Sequence, residues 1–163
     1  MKIGFQEEQK FTQWWLWLIL IGIGLIPLYG IYTQLIIGEK FGDKPMSDVG
    51  LVFFALFTFA FLALFWLMRL KTKINENEIN MNFFPFIKKR MLWNEIKSAK
   101  IVKYGFVGYG IRLGSDHGTV YNTKGNKGLA IVLKSGKKLL IGTQKSAELK
   151  TILEKISLKH YLS

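Results

Sequence analysis

The stretch NENEINMNFFPFIKKR, Asn75–Arg90, decides how the second half of this chain folds. Ile79, Met81 and Phe83 alternate with Asn80 and Asn82, the period-two pattern of a half-buried strand. The run Asn75-Glu76-Asn77-Glu78 ahead of it is made of turn residues, so a first strand leaving Lys71 reverses there as a hairpin.

Downstream, short strands are expected at Phe86–Trp93, Ser98–Tyr104, Tyr109–Leu113, Gly118–Asn122, Gly128–Leu133 and Lys138–Ile141. The clusters GSDHG, KGNKG and KSGK separate them as turns, and KGNKG reads as a tight hairpin turn. With the opening hairpin this makes about seven or eight strands. The period then changes: Leu149, Ile152, Leu153 and Ile156 recur at i, i+3, i+4 and i+7, which predicts an amphipathic helix from about Ser146 to Lys159 that caps the strands. No helix precedes it in this half, so a βαβ sheet is excluded and a small antiparallel barrel or sandwich is expected.

Upstream, the uncharged runs Phe11–Gly38 and Val49–Met68 are each long enough to cross a bilayer, which takes roughly 20 apolar residues. Membrane helices are expected at about 14–36 and 49–68. Acidic Glu7 and Glu8, the length of the first run and the lack of a small-residue cleavage site argue against a signal peptide. Trp14, Trp15 and Trp17 at one end of the first span, with Tyr29 and Tyr32 toward the other, suit the two water interfaces. Pro27 is tolerable where a neighbouring helix re-satisfies the freed carbonyl. The domain boundaries that follow are 1–70 for the membrane region and 71–163 for the β unit.

Charge sets orientation. Arg69, Lys71 and Lys73 follow the second span, whereas the connecting loop balances Lys40 and Lys44 against Glu39, Asp43 and Asp48, which predicts a multi-pass protein of the inner (cytoplasmic) membrane with both termini cytoplasmic. From Lys71 onward lie 18 of the 23 Lys and Arg and 6 of the 11 acids, so this half carries the whole net charge of +12. A basic unit tethered to a membrane points first to anionic headgroups. With no cysteine, the chain has no thiolate site or disulfide framework.

LWNEI at Leu92–Ile96, GIRL at Gly110–Leu113 and GLAIVLKSGKKLLIGTQ at Gly128–Gln144, with two spans before and an amphipathic helix after, make the chain resemble small bacterial membrane proteins with a pleckstrin-homology-like (bacterial PH) cytoplasmic domain. The resemblance covers nearly the whole chain and implies fold more than function. It departs from lipid-gripping members at the first hairpin turn, where Glu76 and Glu78 stand in place of cations.

Catalytic motifs are thin. Neither G-x-x-x-x-G-K-[ST] nor G-x-G-x-x-G opens a helix, so Gly105, Gly108, Gly110 and the GNKG glycines are read as turn residues. Asp116 and His117 are adjacent in a turn, His160 is distant, and these make no triad or metal set. Trp93 is read as a core anchor beside Leu92 and Ile96. No cofactor is expected.

Because each hairpin reverses direction, turns should alternate between far from and near to the membrane. The near set is Phe84–Lys89, Gly105–Gly108 and Thr123–Lys127; the far set is Glu76–Glu78, Asn94–Glu95, Ser115–Asp116 and Ser135–Gly136. Candidate anionic-lipid contacts are therefore Phe84, Phe86, Lys88, Lys89, Arg90, Lys124 and Lys127. Two readings of FFPFIKKR stay open: an interfacial wedge of aromatics and three cations, or a strand with Phe83 and Ile87 in the core and its cations solvated. The expected function is a non-enzymatic scaffold or accessory subunit resting on anionic lipid, with a protein partner or a second copy. The alternative is a membrane-bound enzyme using Asp116 or His117 on a lipid-linked substrate. Nucleic-acid binding through Tyr104, Phe106, Tyr109 and Tyr121 is not expected, since tethering limits access.

Overall fold

The structure is a computed structural model that describes residues 4–105 and 108–162, with side chains as far as Leu158. The chain forms two compact units: Thr12–Leu67, and the described residues through Phe11 together with those from Met68 onward. The boundary expected at residue 70 is thereby corrected. A strand absent from the sequence reading, β1 (Gly4–Lys10), precedes the apolar helices and belongs to the β unit, so the helical hairpin is an insertion between two paired strands.

The helical unit contains α1 (Trp14–Ile31), a π-helical extension (Tyr32–Ile37) and α2 (Asp48–Leu67). Trp14–Ile37 and Asp48–Leu67 are both long and apolar enough to cross a membrane. Leu20, Gly24, Pro27 and Gly30 of α1 are buried, as are Leu51, Ala55 and Thr58 of α2. A Cβ on Gly30 would lie 2.9 Å from the Phe41 ring and 3.1 Å from Leu51 Cδ1, so glycine is what permits this approach. Gln34 Nε2 ties the connecting loop by donating to Met46 O at 2.9 Å and Asp48 Oδ1 at 2.7 Å. Most other large apolar side chains of the two helices are exposed.

Among the described residues, the β unit has nine strands in two sheets rather than about seven. Sheet A is ordered β1-β2-β3-β4, with β2 (Arg69–Asn75), β3 (Glu78–Phe84) and β4 (Ile87–Leu92), all antiparallel. Sheet B is ordered β5-β8-β9-β7-β6, with β5 (Ile96–Lys103), β6 (Gly110–Ser115), β7 (Gly118–Asn122), β8 (Lys127–Leu133) and β9 (Lys138–Gly142). A C-terminal helix, α3 (Ser146–Leu162), buries Leu149 and Ile156 and packs beside β1. Leu70, Ile74, Ile79, Met81 and Phe83 of sheet A are fully or almost fully buried, as are Leu129, Ile131 and Leu140 of sheet B. Burying each such side chain contributes about 1.5–3 kcal/mol.

Sheet B departs from the expected meander. The turn after β7 is no hairpin, because β9 enters between β7 and β8 and runs parallel to β7. Leu139, Leu140 and Ile141 are all buried on β9. A continuous apolar run of this kind belongs to a strand covered on both faces, and that drives β9 to an interior position in the sheet.

Candidate anion-contacting surface

Lys10 pairs with Arg69, and Arg69 pairs with Phe84. The two strand ends that continue into the helices thus share one end of sheet A with the β3–β4 turn. Phe84 and Phe86 are exposed on that turn, at 37% and 52%, while neighbouring Phe83 is at 0%. The Arg69 guanidinium carbon lies 5.3 Å from the centre of the Phe84 ring.

The three cations of IKKR do not act together, because β4 is a strand and its side chains alternate. Ile87, Lys89 and Met91 lie on the inner, less exposed side, and Lys88 and Arg90 point outward. Lys89 Nζ sits 5.2 Å from the centre of the Tyr121 ring, itself only 1% exposed, so this cation packs over the core. Arg90 bonds Glu78 through Nε. Of the three, Lys88 alone is outward and without an ion pair among the described residues.

Lys124 and Lys127 flank the crossing turn between β7 and β8, where Lys124 is exposed and its carbonyl accepts from Gln144 Nε2. Gln9 places this turn: its Oε1 accepts from Thr123 Oγ1 at 3.1 Å, and its Nε2 donates to Gly142 O at 2.7 Å. Lys103 pairs with Lys127, Tyr104 N donates to Asn126 O, and Gly110 pairs with Asn122. The described residues flanking 106–107 and the Thr123–Lys127 turn therefore lie at one end of sheet B, and the Gln9 end of β1 is bonded to that turn. Phe106 and Val107 lie outside the described residues.

The opposite end collects the far turns. Asn75 Oδ1 accepts from the backbone N of Asn77 and Glu78, which closes the β2–β3 turn. Trp93 is a half-buried post rather than core: its Nε1 donates to Asn75 O at 2.8 Å and its backbone N to Asn77 O. Lys134 N donates to Glu95 O. Asp116 and His117 occupy the β6–β7 turn, which Ser115 organises by donating through Oγ to Gly118 O and accepting from His117 N. Gly118 has φ +76°, and a Cβ there would fall 2.2 Å from Lys138 O, so this turn is fixed by packing. His160 lies in α3 beyond the described side chains. No group of three His, Cys, Asp or Glu that suits a metal exists among the described residues. Tyr104 and Tyr121 are buried.

Two carboxylates tune the outer face of sheet A. Lys71 Nζ approaches Glu8 Oε2 at 2.9 Å and Arg69 Nη1 approaches Glu8 Oε1 at 3.5 Å. The hydrogen bond from Lys71 holds the Glu8 carboxyl below the ordinary glutamate value; desolvation opposes it, and the charges of Lys71, Arg69 and Lys10 add to the lowering. Hydrogen bonds from Asn80 and then Arg90 do the same for Glu78. Inside, burial pushes the Tyr104 phenol upward, although its oxygen accepts from Asn122 Nδ2 at 3.1 Å.

Sequence reasoning missed β1, and with it the buried polar set that fixes this end. Glu7 and Gln9 face inward among Thr123, Thr143 and Gln144, all far away in sequence. The one local signal is Phe5 and Phe11 spaced on the parity of Glu7 and Gln9. Comparisons of the chain with protein-family models, curated proteins and solved structures find no match.

Proposed function

We propose that this chain is a non-enzymatic protein of the inner membrane whose basic, pleckstrin-homology-like β unit rests on the anionic leaflet as a scaffold or accessory subunit for a protein partner or a second copy. The observation that carries this reading is the exposure of Phe84 and Phe86, beside Arg69 and Lys10, at the sheet end from which both helices depart. Aromatics flanked by cations suit the boundary between acyl chains and anionic headgroups. Two further features support it. β1 and β2 pair along their full length, so the flanks of the helical hairpin lie on one side of any membrane it crosses. That side is the basic one, which the positive-inside rule assigns to the cytoplasm.

The test uses the full chain in vesicles, with a fluorophore replacing Phe86 and quenchers held at known bilayer depths. Quenching should be stronger in phosphatidylcholine–phosphatidylglycerol vesicles than in pure phosphatidylcholine at low salt, and salt should weaken the difference. Equal quenching in both compositions overturns the proposal.

A further inference from the structure

On the outer face of sheet A, Lys71, Lys73, Asn80, Asn82 and Lys88 line a concavity of about 350 Å3. Strand register creates it. Lys71, Asn82 and Lys88 lie opposite one another across β2, β3 and β4, and Lys73, Asn80 and Arg90 form the next row. Each row reads cation, amide, cation. Strands are about 4.8 Å apart, so basic side chains rise on both sides of a floor of amides. A cation in the central column would put like charges directly opposite each other, and an apolar residue would donate nothing. Asparagine avoids the repulsion and supplies N–H groups.

The charges suit one dianion. Glu8 engages Lys71 and Glu78 engages Arg90, whereas Lys73 and Lys88 have no ion pair among the described residues. Within the two rows, four cations (Lys71, Lys73, Lys88, Arg90) against two carboxylates leave at least two positive charges, since Arg69 shares Glu8 with Lys71, and a phosphate monoester carries about −1.5 to −2 at neutral pH. The two unpaired lysines are diagonal across the asparagine column, so they approach one anion from opposite sides.

We propose that this concavity binds a single phosphomonoester group, with Lys73 and Lys88 donating from either side and, from below, Asn82 together with the one Asn80 amide proton that Glu78 does not hold. The site goes beyond the leaflet reading, since it recognises the anion whether a lipid headgroup or a soluble phosphate ester carries it.

The test is side-chain amide NMR of the full chain in neutral phosphatidylcholine nanodiscs. One arm titrates inorganic phosphate, and the other compares discs containing phosphatidic acid, a monoester, with discs containing phosphatidylglycerol, a diester, at equal mole fraction. Saturable shifts of the Asn80 and Asn82 amides are expected with at least one monoester source, and the arm that responds identifies the carrier. The double variant Lys73→Gln/Lys88→Gln should bind about tenfold more weakly or worse, because two charge-assisted donors are gone. Asn82→Asp, which adds a negative charge to the floor, should abolish the shifts, with backbone spectra confirming the fold. No saturable shift in either arm, or unchanged affinity in the double variant, overturns the proposal. Quenching at position 86 is separate, so failure here leaves the leaflet reading standing, and the reverse.

Discussion

Thr143 Oγ1 donates to Glu7 Oε2 at 2.6 Å, joining residues 136 positions apart in sequence. The other Glu7 oxygen accepts from Gln144 N at 2.7 Å, just ahead of α3. The carboxylate therefore fastens the strand before the helical hairpin to the start of the terminal helix. Glu7→Ala leaves a buried hydroxyl and a backbone N–H short of an acceptor and should destabilise the β unit by about 1–3 kcal/mol. Glu7→Gln keeps one acceptor and should cost less. Denaturant midpoints of the two variants decide this; equal losses would mean that the hydrogen bonds do not hold β1 in place.

A domain boundary placed after the second apolar helix should give an unstable fragment. Residues 71–163 lack β1, so β2 gains a bare edge and Thr123, Thr143 and Gln144 lose their hydrogen bonds to Gln9 and Glu7. Replacing Thr12–Leu67 with Asn-Gly instead joins Phe11 to Met68 next to the Lys10 and Arg69 pair, where a two-residue turn fits antiparallel strands. This version should be soluble, with dispersed amide spectra and cooperative unfolding, and the 71–163 fragment should show neither. A well-folded 71–163 fragment would count against the role given to β1.

Most of the remaining strands were legible in the sequence because their buried faces are apolar. Ile79, Met81 and Phe83 announce β3, and the i, i+3, i+4, i+7 pattern announces α3. β1 was not legible because two of its inward positions, Glu7 and Gln9, are polar and draw their partners from residues more than 100 positions away. The mixed order of sheet B was hidden for a related reason: nothing local in Lys138–Gly142 states which neighbours will cover both sides of Leu139, Leu140 and Ile141. The alternation of Lys88, Lys89 and Arg90 follows from the reading of FFPFIKKR as a strand with Phe83 and Ile87 inward, because successive strand side chains point to opposite faces.

Acid should loosen the outer face of sheet A. Glu8 and Glu78 have folded-state values below the ordinary 4.5, so each contributes stability above that pH which is lost as the pH falls through the folded value. Both side chains are on the surface and the contribution is screened by solvent. Denaturant midpoints of the turn-joined protein should fall between about pH 5 and pH 3, and Glu8→Gln/Glu78→Gln should flatten that slope. Salt at roughly 1 M should flatten it as well. A slope unchanged in the double variant would assign the acid sensitivity to other carboxylates.

Adjacent lysines on β4 should answer to different measurements. Lys88 faces outward without an ion pair, so Lys88→Ser removes a cation from the basic face and should weaken attachment of the β unit to anionic vesicles by about fivefold, corresponding to about 1 kcal/mol per surface cation. Its effect on unfolding should be small, because an exposed charge contributes little to stability. Lys89 lies over Tyr121, 5.2 Å from the ring centre, so Lys89→Ser should lower stability by about 0.5–1 kcal/mol and leave vesicle attachment nearly unchanged. The turn-joined protein separates the two readouts, since its attachment to vesicles no longer depends on the helices. If the turn end carrying Phe84 and Phe86 is the end that meets lipid, a fluorophore at position 86 on the full chain should also be quenched more deeply than one at Ser135, in the β8–β9 turn at the opposite end. Deeper quenching at Ser135 would invert the orientation, and equal loss of attachment in Lys88→Ser and Lys89→Ser would remove the distinction that strand alternation makes between them.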